Sequence, residues 1–267
     1  MSRPVVGIGG WTYAPWRETF FPKGLPHAQE LAFASRAVTS IEINGTFYRL
    51  QSRDSFRKWA EEVPEDFVFS LKAHRMTTNR KVLAEAGEWI GRFLGSGVTE
   101  LGDRLGPVLW QFAATKKFDR ADFEAWLDLL PAEVEGRRLR HAVDLRHESF
   151  VDAAVIDMLR ARNVAACITD SPDYPLIPDV TADFVYVRLM RNEAKRKTGY
   201  APKDLDLWAE RIRTWQTGGA PADLAHVSAK APKKLKARDC FVYAIDGAKE
   251  RAPAAAQELL KRLQAKG

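Results

Sequence analysis

Along this chain, short apolar runs alternate with longer stretches in which large apolar side chains recur every three or four positions. The runs have the length of buried strands, and the stretches have the period of helices packed on one face. The pattern predicts a first strand over Val5 to Gly9, an aromatic loop through Trp11, Tyr13 and Trp16, and a helix from about Ala28 to Arg36. A second strand covers Ser40 to Ile43. The next helix opens at Ser52 or Asp54, carries Phe56, Trp59, Ala60 and Val63 on one face, and is stopped by Pro64. Strand three, Phe67 to Lys72, precedes a helix built on Trp89, Ile90, Phe93 and Leu94, and strand four follows Leu105-Gly106-Pro107. Asp119 or Asp122 caps a helix with Phe123, Trp126, Leu127 and Leu130 inward, closed by Pro131. Four more strands are predicted over His141 to Leu145, Val164 to Thr169, Phe184 to Leu189 and Cys240 to Ile245. The helices between and after them are carried by Val155 and Leu159, by Leu205, Trp208, Ile212 and Trp215, and by Leu259, Leu260 and Leu263.

Strands that alternate with helices pair in parallel through right-handed crossovers. Eight such units in 267 residues suit one α/β domain, residues 1–267, folded as a (β/α)8 barrel of the TIM type. An open doubly wound sheet would show a glycine-rich phosphate loop after its first strand. Here Gly7, Gly9 and Gly10 run into Trp11-Thr12-Tyr13, which is too bulky for that loop. The one irregular stretch is Gly218 to Asp239. Its length predicts either a mobile excursion or a hidden short helix.

Several strands end in a charged or amide residue: Glu42 and Asn44, Lys72, Gln111, Asp144 and Arg146, Asp170, Arg188, and Asp246. Strand alternation places Glu42 with Asn44, and Asp144 with Arg146, on one face. With Ile41, Ile43, Val143 and Leu145 outward, those polar residues point at the barrel axis, and the whole set is expected to converge at the carboxyl-end rim. Buried carboxylates need partners, so Asp144 is expected to pair with Arg146 and Glu42 with Lys72. Such pairs serve structure as readily as chemistry.

Composition narrows the function. Apolar residues make up 46% and aromatics 10%, with eight tryptophans, enough for a large core. No apolar run reaches the roughly 20 residues that span a bilayer, and Met1-Ser2-Arg3-Pro4 leads straight into a strand with no secretory pattern. Cys167 and Cys240 fall inside apolar strands as buried thiols, so a cytoplasmic location is expected. The net charge of +6 favours anionic partners. Part of it lies in residues 191–197, with four cations and one acid, and in 230–238, with five cations and no acid. Both runs suit solvated loops; they would also grip a nucleic-acid backbone. The second precedes the last strand and is expected at the face opposite the rim.

The residue types at the rim allow acid–base catalysis with anion binding. Lys72, Glu42, Asp144 and Asp170 are the candidate proton carriers, Lys72 because arginine neighbours and burial lower a lysine pKa. Arg146 and Arg188 offer planar forks for a phosphate or carboxylate, and Asn44, Tyr48, Gln111 and Asp246 offer hydrogen bonds. Trp11 and Tyr13 suit either a stacking platform or a packing role, whereas Trp16 with Phe20 and Phe21 reads as a hydrophobic plug. Glu42, Asp144, Asp170 and Asp246 are oxygen donors that Mg²⁺ or Mn²⁺ would accept, but arginines compete for them and the five histidines show no HxH or HExxH spacing. No metal and no organic cofactor is therefore expected. His74 and His147 lie near enough to reach the rim; the other histidines read as surface or packing residues.

These same segments carry a family resemblance. GGWTYAPWRETFFPKGLP, SIEINGTFYRL, FSLKAHRMTT, LGPVLWQF, HAVDLRHESF and ADFVYVRL follow one another as in the DUF72 (YecE-like) family, across nearly the whole chain. The resemblance implies a TIM-type barrel and no established reaction. It also implies departures: Thr78-Asn79 where the family usually has Thr-His, Met190-Arg191 in place of His-Gly, Ile245-Asp246-Gly247 and Arg251 in place of Asn-Asn or Asp-Asn and a later His, and Asp144 in place of Glu. The expectation is an acid–base enzyme, a hydrolase, lyase or isomerase, for a small phosphorylated or sugar-like anion. A nucleic-acid-processing barrel and a non-catalytic ligand-binding barrel are the alternatives.

Overall fold

Parallel pairing runs round a closed ring in the computed structural model, which describes residues 4–265. The lead-in Met1-Ser2-Arg3 named above lies outside the described residues. The ring comprises β1 (Val5–Gly9), β2 (Ser40–Ile43), β3 (Val68–Lys72), β4 (Leu105–Gln111), β5 (His141–Asp144), β6 (Ala165–Asp170), β7 (Phe184–Leu189) and β8 (Asp239–Ala244). Each strand pairs with its sequence neighbours, and β8 returns to β1 through Val5 opposite Phe241 and Ile8 opposite Ala244. The expected TIM-type barrel is the fold.

The connecting helices are α1 (Glu30–Ala37), α2 (Gly45–Tyr48), α3 (Arg53–Glu62), α4 (Gly87–Leu94), α5 (Arg120–Asp128), α6 (Ala153–Ala161), α7 (Pro202–Gln216) and α8 (Ala252–Gln264). Their starts follow capping chemistry. Ser52 caps α3 by accepting from Ser55 N, Asp119 caps α5 by accepting from Asp122 N, and Asp152 caps α6 by accepting from Ala154 N. Asp122, the other cap candidate, instead accepts from Leu83 N at 2.7 Å and Ala84 N at 3.0 Å and pins the preceding loop. The apolar pattern gives no sign of α2, of 3-10 segments such as Val98–Arg104, or of a hairpin of Glu133–Val134 with Arg137–Arg138. Each is too short to register a period.

Alternation along the strands divides the core in two. The outward set, including Val6, Ile8, Ile41, Ile43, Phe69, Leu71, Val143 and Leu145, packs against the helices. The inward set includes Leu109, Ala142, Cys167, Phe184, Tyr186, Phe241 and Tyr243, so the barrel is filled rather than open. Two glycines belong to this geometry. At Gly7 a Cβ would lie 2.0 Å from the Ser40 carbonyl oxygen, so β1 approaches β2 there only because it has no side chain. At Gly10 φ is +74°, and the position opens onto free space just beyond the β1 end.

The long connection before β8 contains turns and no helix. Asp179 fixes it by accepting from Val227 N at 2.7 Å and Ser228 N at 3.0 Å. Arg238, buried, donates to the Gly218, Gly219 and Lys233 carbonyls. Lys233 and Leu235 pack beside Arg138, Asn163 and Asp183, which precede β5, β6 and β7. The basic stretch 230–238 thus lies at the amino-terminal face. Among the described residues no helix is long and apolar enough to cross a membrane.

Candidate functional site

A parallel strand delivers its last inward residue to the same rim as its neighbours'. Pairing places Glu42 level with Ser70, Gln111 level with Asp144, and Thr169 level with Arg188. Arg188, projecting inward from β7, is the hub. Its Nη1 donates to Asp144 Oδ2 at 2.7 Å and to Gln111 Oε1 at 3.0 Å, while Nη2 donates to Glu42 Oε1 at 3.0 Å. Tyr186 O–H donates to Glu42 Oε2 at 2.7 Å, and Thr169 O–H donates to Asp144 Oδ1 at 3.1 Å. Below these, Ser70 and Ser40 carry the network into the barrel through Tyr186 and Tyr243.

The expected Asp144–Arg146 pair is present at 3.1 Å. The expected Glu42–Lys72 pair is not: Arg188 takes Glu42 instead. A guanidinium spans two carboxylates with separate nitrogens, which a single ammonium cannot match. Lys72 is left with its Nζ 4.1 Å from the centroid of the Phe47 ring. Thr46 O–H donates to the Lys72 carbonyl at 2.7 Å, and this bond seats α2 and its Phe47 beside the lysine. Arg146 uses Nε on Asp144, lies 4.2 Å from the Tyr174 ring centroid, and has no protein partner on its two terminal nitrogens among the described residues.

The electrostatics follow from these contacts. Burial, reinforced by the Arg188 charge and opposed by Glu42, brings the Lys72 ammonium down to about 7. Burial pushes the Asp144 carboxyl up, but Arg146 and Arg188 outweigh it and hold the group below its ordinary value. Burial works against the Arg188 cation, yet Glu42 and Asp144 more than offset it and keep it protonated. Two carboxylates against two guanidinium groups leave the cluster neutral, so protonated Lys72 supplies its surplus charge. Burial also raises the Cys167 thiol well above its usual value and removes it as a nucleophile.

Six of the sequence candidates meet here: Glu42, Lys72, Gln111, Asp144, Arg146 and Arg188. Asn44 stands at the same rim, its Nδ2 3.4 Å from the Glu42 carbonyl. Asp170 and Asp246 lie apart. Asp170 accepts from Arg191 Nε at 2.8 Å and Tyr200 O–H at 3.0 Å, and exposed Asp246 bonds Asn192 and Gly247. Both are out of phase with the inward sets of their strands, Cys167 with Thr169 and Tyr243 with Ile245. Trp11 packs edge-on against Trp59 at 5.2 Å, and Tyr13 against Trp16 at 5.3 Å. Trp16 with Phe20 and Phe21 forms the plug. Tyr48 is 68% exposed at the end of α2. His74 is buried and stacked on Trp89 at 4.8 Å, and burial lowers its pKa. His147, by contrast, is half-buried and accepts from Ser149 N.

The sequence reading overlooked Thr169, Phe47, Tyr174 and Lys249. Thr169 was available to the period-two count that Asp170 fails. Lys249 sits 4.7 Å from the Tyr13 ring centroid, and burial lowers its pKa against the pull of Asp246 and Glu42. No local pattern marks it, because the 3-10 turn it opens, Lys249–Arg251, is too short to show a period. Among the described residues no three His, Cys, Asp or Glu groups are placed to share a metal ion.

A cleft of about 620 Å³ lies elsewhere, at the amino-terminal mouth. Its Arg137, Arg138 and Arg140 are matched to Asp103, Asp183 and Asp239 at 3.1, 3.3 and 2.8 Å. Size there comes with charges already spent in pairs, so the rim is the stronger candidate.

A family profile described as "Protein of unknown function DUF72" matches residues 5–267. The chain belongs to the DUF72 family. It is 26% identical over 148 residues to the UPF0759 protein YecE of Escherichia coli K12, a match covering 54% of this chain and 49% of that relative. The matched region thus spans about half the length of each. A DUF72 family protein from Thermotoga maritima MSB8 superposes with a TM-score of 0.74 at 21% identity, over 99% of this chain and 100% of that one. Another, from Enterococcus faecalis V583, gives 0.69 at 17% identity, over 98% and 95%. At these identities the likeness shows the DUF72 fold alone. Of the residues at which the resemblance led to an expected departure, Met190 packs in the inner cluster, Arg191 holds Asp170, and Arg251 donates to the Ala194 carbonyl.

Proposed function

We propose that this DUF72 barrel is an enzyme that moves protons on a small anionic, phosphorylated or sugar-like metabolite bound at the carboxyl-end rim. The observation that carries the reading is Lys72: a lysine at a strand end, 8% exposed, with a pKa of about 7 and no carboxylate bonded to it. A group poised near neutral pH both takes and returns a proton efficiently. Arg146, 13% exposed and with no protein partner on its terminal nitrogens among the described residues, is the anion contact. Arg188 is committed to Glu42, Asp144 and Gln111, so it holds the site together rather than the substrate. Asp144 acts through Arg146 by fixing its fork.

The nucleic-acid reading loses half of its basis, because the 230–238 stretch is at the other end of the barrel. In the 191–197 loop, Arg191 is paired with Asp170, and Lys195 and Arg196 with Glu193.

The test is proton exchange. A panel of phosphorylated sugars and small carboxylic acids in D₂O, followed by NMR, is expected to show C–H exchange or turnover with the wild type, and none with Lys72→Met. A Lys72→Met protein that keeps full turnover of the responding compound removes Lys72 from proton transfer.

A further inference from the structure

A buried amine near neutrality that no acid neutralises is suited to bond formation as well as to proton transfer. The residues around Lys72 are arranged for it. Glu42 and Asp144 are both held by Arg188, so neither reaches the amine within ion-pair distance. Phe47 covers one side of Nζ, Arg188 and Arg146 bear on it by charge, and His74 lies two residues on with its ring locked on Trp89. The backbone of Lys72 is fixed by its pairing with Leu109 and by the Thr46 hydroxyl on its carbonyl, so the amine is aimed by a rigid strand end.

We propose that Lys72 is an imine-forming lysine, which captures the carbonyl carbon of a small aldehyde or ketone whose anionic end is held by Arg146. This deepens the proton-transfer reading and rests on the same site. The amine nitrogen attacks the carbonyl carbon. A C–N bond forms, the C=O π pair moves to oxygen, and one N–H proton passes to that oxygen to give a carbinolamine. The second N–H proton then leaves with the hydroxyl as water, and the nitrogen lone pair closes the C=N bond. Amine plus carbonyl gives imine plus water, with no oxidant or reductant. An imine drains electrons from the adjacent C–H or C–C bond, which gives proton transfer at this rim a bond worth breaking. At neutral pH about half of Lys72 is unprotonated, against roughly one in a few thousand of an exposed lysine.

Reductive trapping tests this directly. The wild-type protein is incubated near neutral pH with sodium cyanoborohydride and either glyoxylate or glyceraldehyde 3-phosphate, and the adducts are mapped by peptide mass. The expected result is an adduct on Lys72 forming at least about tenfold faster than on exposed Lys58 or Lys236. Labelling by one probe and not the other identifies the anion as carboxylate or phosphate. Arg146→Gln is expected to slow Lys72 labelling by the anionic probe several-fold more than labelling by neutral acetaldehyde, which slows only as far as loss of the Arg146 charge lets the amine regain its proton. Adducts confined to exposed lysines, with Lys72 bare for both probes, overturn the imine. The two readings separate cleanly: Lys72-dependent exchange without an adduct keeps proton transfer and removes the imine, and an adduct without exchange does the reverse.

Discussion

Lys72 is costly to the fold, and that cost has a sign that can be measured. Its folded pKa, about 7, lies below the 10.5 of a free lysine. Below pH 7 the amine is charged in both states, and burying that charge is paid in full. Between the two values the unfolded chain binds more protons than the folded one, so stability rises with pH across that window. Lys72→Met is therefore expected to stabilise the protein, by on the order of 5 kcal/mol near pH 6 and by roughly 1 kcal/mol or less near pH 10. Urea denaturation at both pH values checks it, and a gain independent of pH would show that the amine is not held near neutrality. The residue was legible in the sequence as a rim lysine. Its partner was not, because the choice between Arg188 and Lys72 for Glu42 depends on a fork arriving from β7, far away along the chain.

Helix starts were read from single residues, and the ambiguities among them were settled by the hydrogen bonds available nearby. Asp152 accepts from Ala154 N at 2.7 Å and is exposed, so its contribution to α6 is separable from packing. Asp152→Ala is expected to cost about 1 kcal/mol. For a domain of this size that lowers the melting temperature by about 2–4 °C. Calorimetry is the check; an unchanged transition would mean that water replaces the cap at no cost. Strand alternation was the more informative local signal. It places Glu42, Lys72, Gln111, Asp144 and Arg188 inward, and applied strictly it also selects Thr169 and rejects Asp170 and Asp246. The elements it could not find, α2 above all, are too short to show a period, yet α2 supplies the ring against Lys72.

The two faces of the barrel differ in how their charges are matched. At the carboxyl-end rim Lys72 and Lys249 have no carboxylate bonded to them among the described residues and Arg146 spends only its Nε on Asp144, whereas the amino-terminal face is knitted by one-to-one ion pairs and by the loop that Asp179 anchors. Asp179→Ala releases two backbone bonds of that loop at once. It is expected to raise the rate of tryptic cleavage within 230–238 several-fold, while trapping at Lys72 continues unchanged, since the loop lies at the other end of the barrel. Gel analysis of limited digests measures the first, peptide mass mapping the second. Equal cleavage in both proteins would place the anchor elsewhere.

The order of strands and helices, the closed barrel and most of the ring of polar strand ends were determined by the sequence alone, because a period of two or of 3.6 is a property of neighbouring residues. Membership of that ring is local, but the state of each member is not. Whether Lys72 is paired, how far it is desolvated, and that Arg188 rather than Lys72 takes Glu42 depend on groups delivered by β2, α2, β5 and β7 to one volume. Charge and solvation energies sum over neighbours in space, and only the closing of the barrel decides who those neighbours are.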